Sequence, residues 1–104
     1  MRFFVFVSVN EGWWELDDAT RADISAKEAL RGSELVRAGV IEQIWRIAGT
    51  PDNVGIWNCS DGDEVHELVS TLPAWRWLSV TVQALARHPL ATAFATQRDL
   101  SEFE

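Results

Sequence analysis

The order in which strand-like and helix-like segments alternate leaves this chain few folds. Phe3 to Val9 is β-branched and aromatic, as a strand requires, and Asn10-Glu11-Gly12 breaks it. Asp17 or Asp18 can cap a helix that Gly39, just after Arg37, brings to a stop. Within it Ala22, Ala26, Ala29, Ser33 and Val36 recur at helical spacing, a small apolar face suited to close packing on a sheet. Ile41 to Ala48 and Val54 to Cys59 read as two strands joined by a turn around Gly49-Thr50-Pro51-Asp52-Asn53. Asp61 or Asp63 opens a second helix, with Val65, Leu68, Val69 and Leu72 on one face and Pro73 at its end. Trp77 to Leu85 supplies the last strand. The order β-α-β-β-α-β predicts an α+β, ferredoxin-like fold. Its helices cover one face of the sheet. Because Phe3-Val9 and Trp77-Leu85 carry apolar residues on both faces, the other face needs a cover, and a second copy of the chain is expected there.

Composition narrows the partners. At 104 residues the chain is read as one domain, 1–104, large enough to bury roughly two thirds of its chain surface. A net charge of -7 argues against nucleic acid and anionic membranes, which select for surplus Lys and Arg. The apolar run Phe3-Phe4-Val5-Phe6-Val7 is too short for a signal segment or a membrane span and is read as a buried strand. Cys59 is the single cysteine, which rules out an internal disulfide and points to a reducing, cytoplasmic setting. Six Trp and no Tyr supply large apolar rings with one donor each, suited to pockets and interfaces as well as cores. The segment from residue 90 divides in two. Leu90-Ala91-Thr92-Ala93-Phe94-Ala95 is apolar enough to dock, whereas Asp99-Leu100-Ser101-Glu102-Phe103-Glu104 is acidic and is expected to fray.

Few residues can carry chemistry. Arg46 stands between Trp45 and Ile47, and alternation groups it with Ile44 and Ala48 on one face of its strand. Its guanidinium fork suits an anionic ligand, or equally a surface pairing with Glu42 or Asp17. Glu28 lies inside the first helix, where it is either an ordinary surface acid or a base in an apolar pocket. His66 sits one residue off the apolar face of the second helix, free to bond a ligand or to face water. His88 precedes Pro89, where it suits a structural hydrogen bond at the strand exit. Trp75 and Trp77 follow Pro73, with packing the better assignment for Trp77. The two histidines and one cysteine form no metal-ligand spacing, and no phosphate loop or nucleophile elbow is present.

Between Gly39 and Pro89 four short blocks follow one another: Ile44-Trp45-Arg46-Ile47-Ala48-Gly49, Val65-His66-Glu67-Leu68, Thr71-Leu72-Pro73 and Arg87-His88-Pro89. In this order and spacing, without insertion, they resemble the muconolactone isomerase family, whose members read LWRIAG, then LH on a short helix, then LPLFPY, then HP. The resemblance implies a dimeric α+β barrel, with dimers assembled further and the C-terminal segment reaching a neighbouring subunit. It also implies a cytoplasmic, cofactor-independent isomerase of a small carboxylated lactone in aromatic-compound breakdown. Glu28, at the family's acidic position, would be the proton-transfer base, and Arg46, His66 and Trp75 would bind substrate. Some positions depart from the pattern. Ala74 and Arg76 replace Leu and Pro, Leu90-Ala91 replaces small polar residues, and Phe4 and Phe6 replace polar residues, often His and Lys, in the first strand. A drier pocket is expected from the two phenylalanines. The alternatives within the same architecture are a cofactor-free monooxygenase, a haem-handling protein, and a non-catalytic small-molecule binder.

Overall fold

The computed structural model describes residues 1–91. Strands β1 (Arg2–Val9), β2 (Ile41–Arg46), β3 (Asn53–Asn58) and β4 (Leu78–Leu85) form one antiparallel sheet in the order β2-β3-β1-β4. Helices α1 (Glu11–Glu15) and α2 (Asp18–Arg37) follow β1, and α3 (Gly62–Ser70) follows β3. This is the ferredoxin-like arrangement that the segment order predicts. The most apolar strand, β1, takes a central place because both of its faces can be covered. Phe3, Val5 and Val7 are buried on the helix side, while Phe4 and Phe6 are only partly covered on the other.

The caps are local chemistry. Asp17 accepts a 2.7 Å hydrogen bond from the Thr20 amide and starts α2. Gly39, at φ +79°, ends it, with Val40 N–H bonded to the Leu35 carbonyl and Gly39 N–H to that of Val36. That pair of bonds is a Schellman stop, which favours glycine because φ is positive. Asp61 accepts from the Glu64 amide at 2.8 Å, and Glu64 in turn accepts from the Ser60 amide at 3.0 Å, so α3 is capped from both directions. Val65 and Val69 bury against the core, with Leu68 and Leu72 packed beside them.

Three expectations need correction. The small-residue stripe of α2 does not pack on the sheet: Ala22, Ala26, Ala29, Ser33 and Val36 are exposed. Ile24 and Leu35 are buried instead, with Glu28 and Arg31 half-buried between them. Large aliphatic chains remove more apolar area from water than alanines do, and they turn the helix toward themselves. Asn10-Glu11-Gly12 ends β1 but then enters α1, because the Asn10 amide and side chain are held by the Trp77 and Arg76 carbonyls at 2.8 and 3.1 Å. Helix α3 ends at Ser70 rather than at Pro73, and a single 3-10 turn over Trp75–Trp77 delays β4 to Leu78. The docking tail expected from sequence spans residues 90–104, of which 92–104 lie outside the described residues.

Among the described residues nothing covers the sheet face away from the helices. There Phe4 stands opposite Ile56, Phe6 opposite Val54, and Val54 opposite Trp45, which is 53 % exposed.

Candidate active site

At the end of the sheet where β1 and β2 finish and β3 and β4 begin, a cavity of about 500 Å³ opens between α2 and the helix-side face. Its wall on α2 is Ser25, Glu28, Ala29 and Gly32. Its sheet wall includes Ile44 and Arg46 from β2 and Asn53 and Trp57 from β3. Trp13 of α1 and Ala74, ahead of β4, line it as well. The lining is largely apolar, with a few polar groups, the usual character of a small-molecule site.

Glu28 reaches this cavity because it follows the buried Ile24 by one helical turn and precedes Leu35 by two, so it shares their inward stripe. Its Oε1 accepts a 3.1 Å hydrogen bond from the Ala74 amide. Withdrawal from water raises the carboxyl pKa above the ordinary range, and the Ala74 N–H pulls it back in part. The net direction is upward. A carboxylate in that state is a better base than one on the surface, which is what proton abstraction beside a carbonyl asks for.

Arg46 is the last residue of β2 and pairs in register with Asn53 on the helix side of the sheet. Its Nη1 donates to the Pro51 carbonyl within the hairpin. Neither carboxylate expected as a surface partner is engaged with it. Glu42 pairs with Arg2 at 2.8 Å, and Asp17 caps α2. The guanidinium therefore keeps donors for an anion in the cavity.

The residues singled out from sequence divide into two pairs. Glu28 and Arg46 line one cavity. His66, on α3, and Trp75, in the 3-10 turn, pack edge to face with each other, ring centroids 6.0 Å apart, and neither belongs to the cavity lining. His88 accepts from the Leu90 amide at 3.1 Å, the structural bond expected of it. Phe4 and Phe6 lie on the open sheet face, so they do not dry this cavity: alternation sends them opposite to Phe3, Val5 and Val7. Trp57, Trp13, Ser25 and the Ala74 amide were not anticipated. Of these only Trp57 left a trace in the sequence, as the residue two places from a glycine in a strand. Among the described residues no group of three or more His, Cys, Asp or Glu is placed to hold a metal ion, and no helix is long and apolar enough to cross a membrane.

Sequence comparison with known proteins points to one family. The family model described as muconolactone delta-isomerase matches residues 1–91. A muconolactone delta-isomerase of Rhodococcus opacus is 34% identical over 74 residues, covering 71% of this chain and 80% of the relative. Muconolactone delta-isomerase 2 of Acinetobacter lwoffii is 31% identical over 88 residues, covering 85% and 91%. The crystal structure of a muconolactone isomerase superposes with a TM-score of 0.76 at 27% identity, over 86% of this chain and 92% of that one.

Proposed function

The chain belongs to the muconolactone delta-isomerase family and is an isomerase, and from that premise we propose that it converts muconolactone to its enol-lactone isomer with Glu28 as the proton carrier. The observation that carries this reading is the placement of the half-buried Glu28 carboxylate and the Arg46 guanidinium in the wall of one cavity.

The reaction moves a ring double bond. Glu28 takes the proton from the ring carbon beside the ring oxygen. The electrons of that C–H bond form a new ring double bond, the original double bond shifts toward the carbonyl, and the charge comes to rest on the carbonyl oxygen as a dienolate. The same carboxyl then returns the proton two carbons along the ring, and the carbonyl reforms. Atoms and electrons balance within one molecule, so no cofactor is required. One base can serve both carbons because they lie on the same small ring. With Oε1 held by Ala74, the carboxylate swings little between the two positions. Arg46 would hold the acetate arm of the substrate with the donors that Pro51 leaves open. His66 and Trp75 are retained as substrate contacts only if a second subunit brings them to a shared site.

The same reading covers the open sheet face with a second copy of the chain and places the reaction in aromatic-compound breakdown in the cytoplasm. Cys59 is consistent with a reducing compartment. It is buried, and burial, then the nearby Glu64 carboxylate, raise its thiol pKa, which leaves it unreactive. Neither histidine lines the cavity, so nothing there favours the haem-handling alternative. A panel of butenolides followed by ultraviolet absorbance tests the proposal. The band of the conjugated lactone should decay fastest with muconolactone, and failure to isomerise any member of the panel would overturn the reading.

A further inference from the structure

The dienolate places charge on the carbonyl oxygen, and the substrate's acetate arm is a second anion. Among the described residues the cavity wall offers one cation, Arg46. If Arg46 takes the arm, the carbonyl oxygen needs another donor, and a neutral one that does not compete for the proton that Glu28 carries.

We infer that the indole N–H of Trp57 is that donor: it holds the lactone carbonyl and takes up the charge of the dienolate. The inference rests on the isomerase reading above. Trp57 is 4 % exposed, yet it is part of the cavity wall. Among the described residues no buried side-chain nitrogen or oxygen lacks a hydrogen-bond partner, and no side-chain hydrogen bond involves the Trp57 ring. Its nitrogen is therefore not sealed in the core; the little of the residue that remains accessible opens on the cavity. An accessible donor with no acceptor in the protein is left to water or to a ligand that enters the cavity.

The ring also points the right way. Trp57 is held on the sheet between Phe3 and Ile41, and its ring leans along β3 over Gly55 toward the Arg46 end of the cavity. Nε1 lies 3.5 Å from where a Cβ on Gly55 would stand. That Cβ would also come within 2.8 Å of the Gln43 carbonyl, so only glycine fits, and glycine leaves the approach to the N–H clear. Gly55 is two residues along β3 from Asn53, the register partner of Arg46. Two residues of strand span about 7 Å, which suits a five-membered lactone carrying one acetate arm between the two donors. The other neutral side-chain donors of the wall, Ser8, Ser25, Asn53 and Trp13, are all more exposed than Trp57. A serine hydroxyl also accepts protons, whereas an indole only donates. A donor fixed by strand packing before substrate arrives stabilises developing charge without reorganising.

Two measurements decide it. Trp57→Phe keeps a ring on β3 and removes the N–H. It should lower kcat on muconolactone by about a hundredfold, the loss typical of one such donor, with KM changed little. Wild-type kcat in the folded variant would overturn the inference. The second measurement does not depend on that variant folding. In nitrogen-15-labelled Glu28→Gln, which should hold ligand with turnover slowed about a hundred- to ten-thousandfold, the Trp57 indole resonance is assigned from the β3 backbone. Muconolactone should move its proton downfield, and the same ring acid lacking the carbonyl should not. Equal responses to the two ligands would overturn the inference. If the wild-type protein isomerises no butenolide, the isomerase reading fails separately, and the contrast between the two ligands still reports whether Trp57 binds a carbonyl.

Discussion

Glu28 links the chemistry of the cavity to the stability of the fold. Its pKa is raised in the folded state by burial, so the native protein binds this proton more tightly than the unfolded chain does. The stability that follows is fully present below the ordinary carboxylate range and is lost as pH rises through the raised native value. At neutral pH the ionised group therefore weighs against folding. Glu28→Gln keeps an acceptor for the Ala74 amide and never ionises. Its melting temperature should exceed that of the wild type at pH 7, with the advantage shrinking as pH falls toward 4. A constant difference across that range, in parallel thermal scans, would show that the carboxyl is not perturbed by folding. In the sequence Glu28 was legible as a helix residue at a family position. Its partner was not, because an amide 46 residues away has no pattern that announces it. Trp57 was hidden for a related reason. Alternation tells which face a strand residue takes, but not whether a ring nitrogen on that face finds an acceptor.

The β2–β3 hairpin sets the position of Arg46. Gly49, at φ +82°, and the 3.0 Å bond from Ile47 N–H to the Asp52 carbonyl close the turn, and the Pro51 carbonyl then takes one arm of the guanidinium. A planar fork can bond Pro51 and a carboxylate together, whereas an ammonium on a longer, freer stem cannot hold both in one geometry. Arg46→Lys should therefore raise KM for muconolactone several-fold while stability stays within about 0.5 kcal/mol. An unchanged KM would assign Arg46 to the hairpin alone. The order of the strands and of the two longer helices was readable, because strand composition and the stop at Gly39 act locally. Each N-cap was narrowed only to a pair, Asp17 or Asp18 and Asp61 or Asp63. The rotation of α2 was not readable. It depends on Ile24 and Leu35 outweighing a regular stripe of smaller residues, a contest that only the opposing sheet decides. Nor was α1 readable, since Asn10 is fixed by carbonyls near residue 76 rather than by its own neighbours.

For the whole molecule, the open sheet face carries a consequence of its own. Phe4, Phe6, Val54 and Ile56 form its centre with Trp45 at one side, an apolar surface of the kind that association removes from water. Light scattering at micromolar concentration should give a mass of two chains or a multiple of two, and a stable monomer would contradict the expectation of a covering copy. That both faces of β1 are apolar was plain from its residues, so the need for a cover was legible, whereas the cavity on the helix side emerged only once α2 had been placed. If Glu28 is the proton carrier proposed above, one carboxylate half-withdrawn from water performs the whole transfer. The measurement that reaches it most directly is kcat on muconolactone for Glu28→Gln beside the wild type, followed as loss of the conjugated ultraviolet band. A positioned general base contributes about a hundred- to ten-thousandfold, so the variant should lose turnover on that order while keeping its fold, its mass and its KM. Near-normal turnover by Glu28→Gln would contradict the account.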